Sequence, residues 1–221
     1  MLRQGRRPVK LTGMPQFATA AASSRKKAED RTLVTRAGDD WLVCVADGTG
    51  GASGAALAAE MFVSGVRRAV EERGLEIREP DAFVSLLEDL DHEIKRHPIA
   101  SETTGIALTI TSTSIVGASV GDSRAWLFSA AGAIELTADQ VRKPRLGSGG
   151  ALPRSFATDA KGTLVVGTDG LFDNAAIADI AAIARAALPA AAADALIGHL
   201  RGRFRALPDD VAVVVGRLDD G

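Results

Sequence analysis

Between Trp41 and Gly51 an apolar run, Trp41, Leu42, Val43 and Val45, stops at Asp47, and glycines at 48, 50 and 51 follow at once. A run bounded in this way predicts a buried strand that ends on a carboxylate. Ala55, Ala59, Phe62, Val63, Val66 and Val70 then recur at spacings of three and four, with Glu60, Arg67, Arg68, Glu71 and Glu72 on the other side. That pattern predicts an amphipathic helix, broken at Gly74. A second helix is predicted from Pro80 and Asp81 to Pro98, its buried face marked by Phe83, Leu86, Leu87, Leu90 and Ile94. His92 and His97 fall on or beside it without partner ligands and read as surface residues.

Upstream, small apolar or hydroxylated residues at 16–23 and the run Thr32, Leu33, Val34 predict short strands flanking a charged crossing, RKKAED. Gly38, Asp39 and Asp40 turn 32–36 back into 41–46 as an antiparallel hairpin. Downstream, Ile106–Ile110, Ile115–Val120, Arg124–Phe128 and Ala133–Leu136 are separated by short turns and predict an antiparallel meander. Residues 137–162 lack periodicity and read as an exposed, mobile segment. Thr163–Gly167 then repeats the opening grammar by running into Thr168, Asp169 and Gly170. Two alanine-rich helices divided by Pro189 follow, and Asp209 and Asp210 stand directly before a last strand, Val211–Val215.

No linker or shift of composition divides the 221 residues, which predicts one domain over 15–221 behind a loose arm at 1–14. The net charge of −2 gives no reason to expect nucleic acid or an anionic membrane as partner. The single cysteine, Cys44, lies inside an apolar run and reads as a packed small hydrophobe. The basic N-terminus has no apolar signal-peptide core, and no run of about 18 apolar residues occurs, so a soluble cytoplasmic protein is expected.

Glu29, Asp30, Asp47, Asp169 and Asp209 each stand at a predicted strand end or start. Antiparallel pairing can bring such ends together, and the resulting like charges need protons or cations to coexist. An all-oxygen set without Cys or His suits Mg²⁺ or Mn²⁺ rather than zinc. Two such ions would activate water for attack on phosphorus, so the residues by themselves point to a binuclear hydrolase of phosphate esters.

In order, RKKAED, VADGTGG, GDSR, LTADQ, GTDGLFDN and DDVAVVV resemble the metal-dependent serine/threonine phosphatases of type 2C, the PPM family, over about Gln16 to Leu218. The resemblance implies an α+β fold, a four-layer α/β/β/α sandwich of two antiparallel sheets flanked by helix pairs. It implies that Asp47 bridges two metal ions, Mn²⁺ or Mg²⁺, and that the Gly48 carbonyl binds the second. Glu29 and Asp30 match an acidic pair of which one member binds metal and the other holds water upon it. Asp169 and Asp209 match the remaining ligands of the first ion, and Asp122 matches an aspartate that helps many bacterial members to bind a weaker third ion. Arg25 matches the arginine that grips the substrate phosphate. Phosphorylated proteins, made by a serine/threonine kinase, are the implied partners of what is expected to be a monomer.

The sequence departs from the family at Thr49, where animal members carry a histidine, and at Asp210, where asparagine is usual and the extra charge falls near the metals. The segment at 137–162 is shorter than the family's usual flap; its Lys143 and Arg145 either attract phosphorylated substrates or form a solvated basic loop. A non-catalytic binding module on the same fold is the main alternative. A haloacid dehalogenase-type phosphatase needs an aspartate where Val45 stands, and a dinucleotide-binding loop needs glycine where Ser53 stands.

Overall fold

The computed structural model describes residues 15–24, 28–50, 52–73 and 78–218, without the side chains of Ala52 and Arg73. The expected arm at 1–14 and the expected phosphate-gripping Arg25 lie outside them. Two five-stranded antiparallel sheets stack face to face. One has the order β1 (Gln16–Ala22), β12 (Val211–Leu218), β11 (Gly162–Gly167), β8 (Arg124–Ser129), β9 (Gly132–Glu135). The other has the order β10 (Arg154–Asp159), β7 (Ser114–Val120), β6 (Gly105–Ile110), β3 (Asp40–Ala46), β2 (Arg31–Ala37). A short pair, β4 (Gly48–Thr49) and β5 (Glu102–Thr103), lies beside them.

The near-continuous apolar character of β3 follows from burial on both faces. Leu42, Cys44 and Ala46 face α1 (Ala52–Arg73) and α2 (Pro80–Arg96), where Phe62, Phe83 and Leu87 are fully buried. Val43 and Val45 face the opposite way and meet Leu127, Leu164, Val166 and Val214 between the sheets. On the far side, α4 (Ile177–Ala186) and α5 (Pro189–Arg203) cover the first sheet through Ile180, Ala193, Leu196 and Leu200. The four-layer α+β sandwich expected from the sequence is therefore the fold observed.

Two expectations need correction. The four strands read as one meander are shared between sheets: β6 pairs with β7 in one, and β8 with β9 in the other. Gly121, Asp122 and Ser123 are thus a crossover and not a hairpin turn; strand patterning cannot tell these apart, because both connect apolar runs by a few polar residues. The segment 137–162 is also not simply exposed and mobile. It contains β10, an edge strand with no clean apolar alternation, and Leu146 is fully buried, its backbone paired both ways with Thr103 at 2.9 and 3.0 Å. Asp91 of α2 accepts hydrogen bonds from the backbone N–H groups of Gly147, Gly149 and Ala151 at 2.7 to 2.9 Å. One buried leucine and one buried carboxylate fix this segment, and neither leaves a periodic signature.

Candidate metal centre

The register of the strands assembles the acids. Arg31 of β2 pairs with Ala46 of β3, so Asp30, one residue before the first, lies beside Asp47, one residue after the second. In the facing sheet Gly167 of β11 pairs with Val213 of β12 and with Arg124 of β8, which brings Asp169, Asp209 and the Asp122 crossover to the same end of the sandwich. Carboxylate oxygens of Asp47, Asp122 and Asp169 all lie within 4.8 Å of one another. Asp209 is half-buried, accepts the Asp210 N–H at 2.9 Å, and stands near enough for its charge to act on both Asp47 and Asp169.

The electrostatic consequence is large. Burial, then the charges of Asp30 and Asp169, push the Asp47 carboxyl up to about 9. Asp30 is pushed up to about 7, chiefly by burial, and adjoins Asp47 closely enough for the two to share a proton. Asp169 rises to about 6 through burial and the charges of Asp122 and Asp209. Such a group holds protons at neutral pH unless cations replace them.

Backbone and hydroxyl contacts that the strand pattern did not reveal hold these carboxylates in place. Thr168 donates its hydroxyl to Asp30 Oδ2 at 2.8 Å and accepts the Ala212 N–H at 3.0 Å, joining β2 to β12. The Asp47 N–H bonds to Thr104 Oγ1 at 2.9 Å, and the Asp47 carbonyl accepts the Thr103 hydroxyl and the Thr104 N–H. Thr104 Oγ1 lies 2.7 Å from Ser123 Oγ, next to Asp122, and Gln140 donates to the Ser123 carbonyl at 2.6 Å. Threonine and serine are ordinary strand residues, so nothing in their spacing set these apart. Gly48 is required by packing: a Cβ there would collide with the Ala55 carbonyl of α1. Thr49 donates to the Glu102 carbonyl at 3.5 Å.

Glu29 and Asp30 are 6% and 8% exposed, so the charged crossing carries two buried acids. Asp210 organises it. Its Oδ1 accepts Ser23 Oγ, Ser24 N and Ser24 Oγ at 2.8, 2.7 and 3.1 Å, and its Oδ2 accepts Glu29 N at 2.9 Å. Burial works against the Asp210 charge, but these donors outweigh it and lower its pKa. The same charge raises the proton affinity of Asp30, so Asp210 does add negative field to the centre.

The Asp122 side chain is 2% exposed, and two guanidiniums converge on its Oδ2: Arg142 through Nε at 3.0 Å and Nη2 at 2.9 Å, and Arg145 through Nη2 at 2.9 Å. Arg145 is therefore not part of a solvated loop, whereas Lys143 is exposed. His92 is exposed and His97 half-buried, and Cys44 is buried in the core.

The donor set suits hard divalent cations. It is all oxygen, Asp47 and Asp169 are half-buried, and Asp30 Oδ1 is buried with no hydrogen-bond donor among the described residues. The family model described as stage II sporulation protein E (SpoIIE) matches residues 37–219. No curated protein matches the chain. Among solved structures it is similar to the S. agalactiae serine/threonine phosphatase, with 21% identity over 93% of this chain and 100% of that one, and a TM-score of 0.81. PppA, described as a key regulatory component of T6SS in Pseudomonas aeruginosa, aligns over 94% and 99% with 20% identity and a TM-score of 0.78. The catalytic domain of the serine/threonine protein phosphatase PstP, in complex with 2 manganese ions, aligns over 93% and 99% with 20% identity and a TM-score of 0.76.

Proposed function

We propose, from the premise that this chain belongs to the stage II sporulation protein E family, that it is a metal-dependent phosphatase hydrolysing phosphoserine and phosphothreonine in proteins. The observation that carries this reading is the convergence of Asp47, Asp122 and Asp169 within 4.8 Å, at a place where Asp47 is pushed up to about 9. A site this unfavourable to its own charges is suited to multivalent cations. The similarity to solved serine/threonine phosphatases supports the fold on which that chemistry would run.

Asp47, the Gly48 carbonyl, Asp169, Asp209 and the Glu29/Asp30 pair would hold two ions, Mn²⁺ or Mg²⁺. When bound, the ions supply charge neutralisation and activation of water for attack on phosphorus. The chain's own residues do the positioning. Thr168 fixes the orientation of Asp30, while Thr103 and Thr104 fix the backbone that carries Asp47 and Gly48. Arg25 would hold the phosphate by its planar fork. With Thr49 in place of a histidine, the leaving group takes its proton from solvent within the site. The substrates would be phosphoproteins made by a serine/threonine kinase. No helix among the described residues is long and apolar enough to cross a membrane.

Hydrolysis of p-nitrophenyl phosphate and of a phosphothreonine peptide, with manganese, magnesium or chelator, tests the reading against Asp169→Asn. Metal-dependent turnover that the substitution removes is the expected result. Folded protein without turnover in either metal would turn the reading towards a binding module.

A further inference from the structure

We infer that Arg142 and Arg145 take the place of a third metal ion at Asp122, so that this aspartate anchors guanidinium groups instead of a cation. The inference rests on the two-metal reading proposed above and concerns only the additional site that the family resemblance implies.

Two N–H groups, Arg142 Nε and Arg145 Nη2, donate to a single oxygen, Asp122 Oδ2, at 3.0 and 2.9 Å, and Arg142 Nη2 lies 2.9 Å from the same oxygen as an ion pair. A carboxylate oxygen offers about two lone-pair sites, so these two bonds fill Oδ2; Oδ1, buried with no hydrogen-bond donor among the described residues, is the one oxygen left, and a cation that reached it would stand beside both guanidiniums. The charge balance points the same way. One buried carboxylate faces two guanidiniums that stay protonated at any relevant pH, and a divalent ion brought to Asp122 would meet both.

Arg145 is not a wandering surface side chain. Its own side chain is 15% exposed, its carbonyl accepts the Ser148 hydroxyl at 2.6 Å, and the next residue, Leu146, is fully buried and paired with Thr103. Thr103 in turn donates to the Asp47 carbonyl. Asp91 fixes the other side of the loop through Gly147, Gly149 and Ala151. The guanidinium is thus tied to the scaffold that carries the central acid. Arg142, 66% exposed, is the looser of the two and completes the cap from the solvent side. The Arg145 charge also reaches Asp169 and eases the repulsion there, which is the electrostatic task a neighbouring cation would otherwise perform.

The test is the manganese stoichiometry of the full chain, measured by equilibrium dialysis with metal analysis, for wild type, Arg142→Ala/Arg145→Ala, Arg142→Lys/Arg145→Lys and Asp122→Asn. Two ions are expected in wild type, in the lysine variant and in Asp122→Asn. In the alanine variant a third is expected, with affinity at that position raised by about a hundredfold or more. Three ions in wild type, falling to two in Asp122→Asn, would overturn this inference and leave the phosphatase reading intact. A folded wild type that binds no manganese would refute both. If the alanine variant fails to fold, the comparison of wild type with Asp122→Asn still decides.

Discussion

Replacing Asp210 by alanine removes the acceptor of the four hydrogen bonds that Ser23, Ser24 and Glu29 donate to it. Of the four donors, the two hydroxyls and the Ser24 N–H belong to exposed residues and recover water, at a cost of about 0.5 kcal/mol each. The Glu29 N–H belongs to a buried residue, and losing its bond to the Asp210 carboxylate costs about 1.5 to 3 kcal/mol. Asp210→Ala should therefore lose about 3 to 4.5 kcal/mol. Asp210→Asn keeps one oxygen but loses the charge, and should lose about 1 to 2 kcal/mol. Urea denaturation in chelator at neutral pH measures both, and at about 2 to 3 kcal/mol per molar the alanine midpoint moves by about 1 M or more. Because the native pKa of Asp210 is lowered below its ordinary value, its charge-dependent stabilisation is present above about pH 4 and is lost as pH falls through the native value. The gap between wild type and Asp210→Ala should accordingly shrink in acid. A loss below about 1 kcal/mol, or a gap that stays constant down to pH 3, would refute the assignment of Asp210 as the clamp of the crossing.

Thr168→Val keeps shape but orphans the Ala212 N–H and strips Asp30 of its donor; a loss of about 2 to 3 kcal/mol and weaker manganese binding by calorimetry are expected, and unchanged binding would contradict the positioning role. In chelator, native carboxyls raised to about 9, 7 and 6 keep protons that the unfolded chain has already released above its ordinary value of 3.8. Stability should then fall as pH rises across that window, by up to about 1.4 kcal/mol per pH unit for each proton; a thermal melting series from pH 5 to 9 that rises instead would contradict the cluster. Manganese should flatten this slope. Gly48→Ala should cost about 3 kcal/mol or prevent folding, since the added Cβ meets backbone and not a side chain that can swing away; native-like melting would exclude this packing.

Much of the fold was legible because its elements obey simple periods. The buried face predicted for α2 is the observed one, and the two-residue turn at Gly38, with φ of 64°, closes the predicted hairpin. Asp47 and Asp169 stood out as carboxylates cutting off apolar runs, and the structure does bring them together. What stayed hidden depends on contacts between segments distant in the chain. Nothing near Asp122 announced that Arg142 and Arg145, 20 and 23 residues later, would fold back upon it. Asp91 fell on the predicted buried side of a helix, where a lone carboxylate has no meaning until the loop it accepts is known. The change of sheet at Gly121 was invisible for a similar reason: a strand's sequence records that it is buried, not which neighbour buries it.

The position of β12 has a bearing on how the protein is made. It lies between β1 and β11, pairing with both, yet it is synthesised after every other strand described. Until it emerges from the ribosome, β1 has neither of its edges covered and waits without a partner across nearly the whole length of the chain. The same strand brings Asp209 and Asp210 with it. A nascent chain arrested before residue 209 would therefore carry Asp30, Asp47, Asp122 and Asp169 but neither Asp209 nor the clamp of the charged crossing, so the proposed metal site would be complete only with the closing of the sheet.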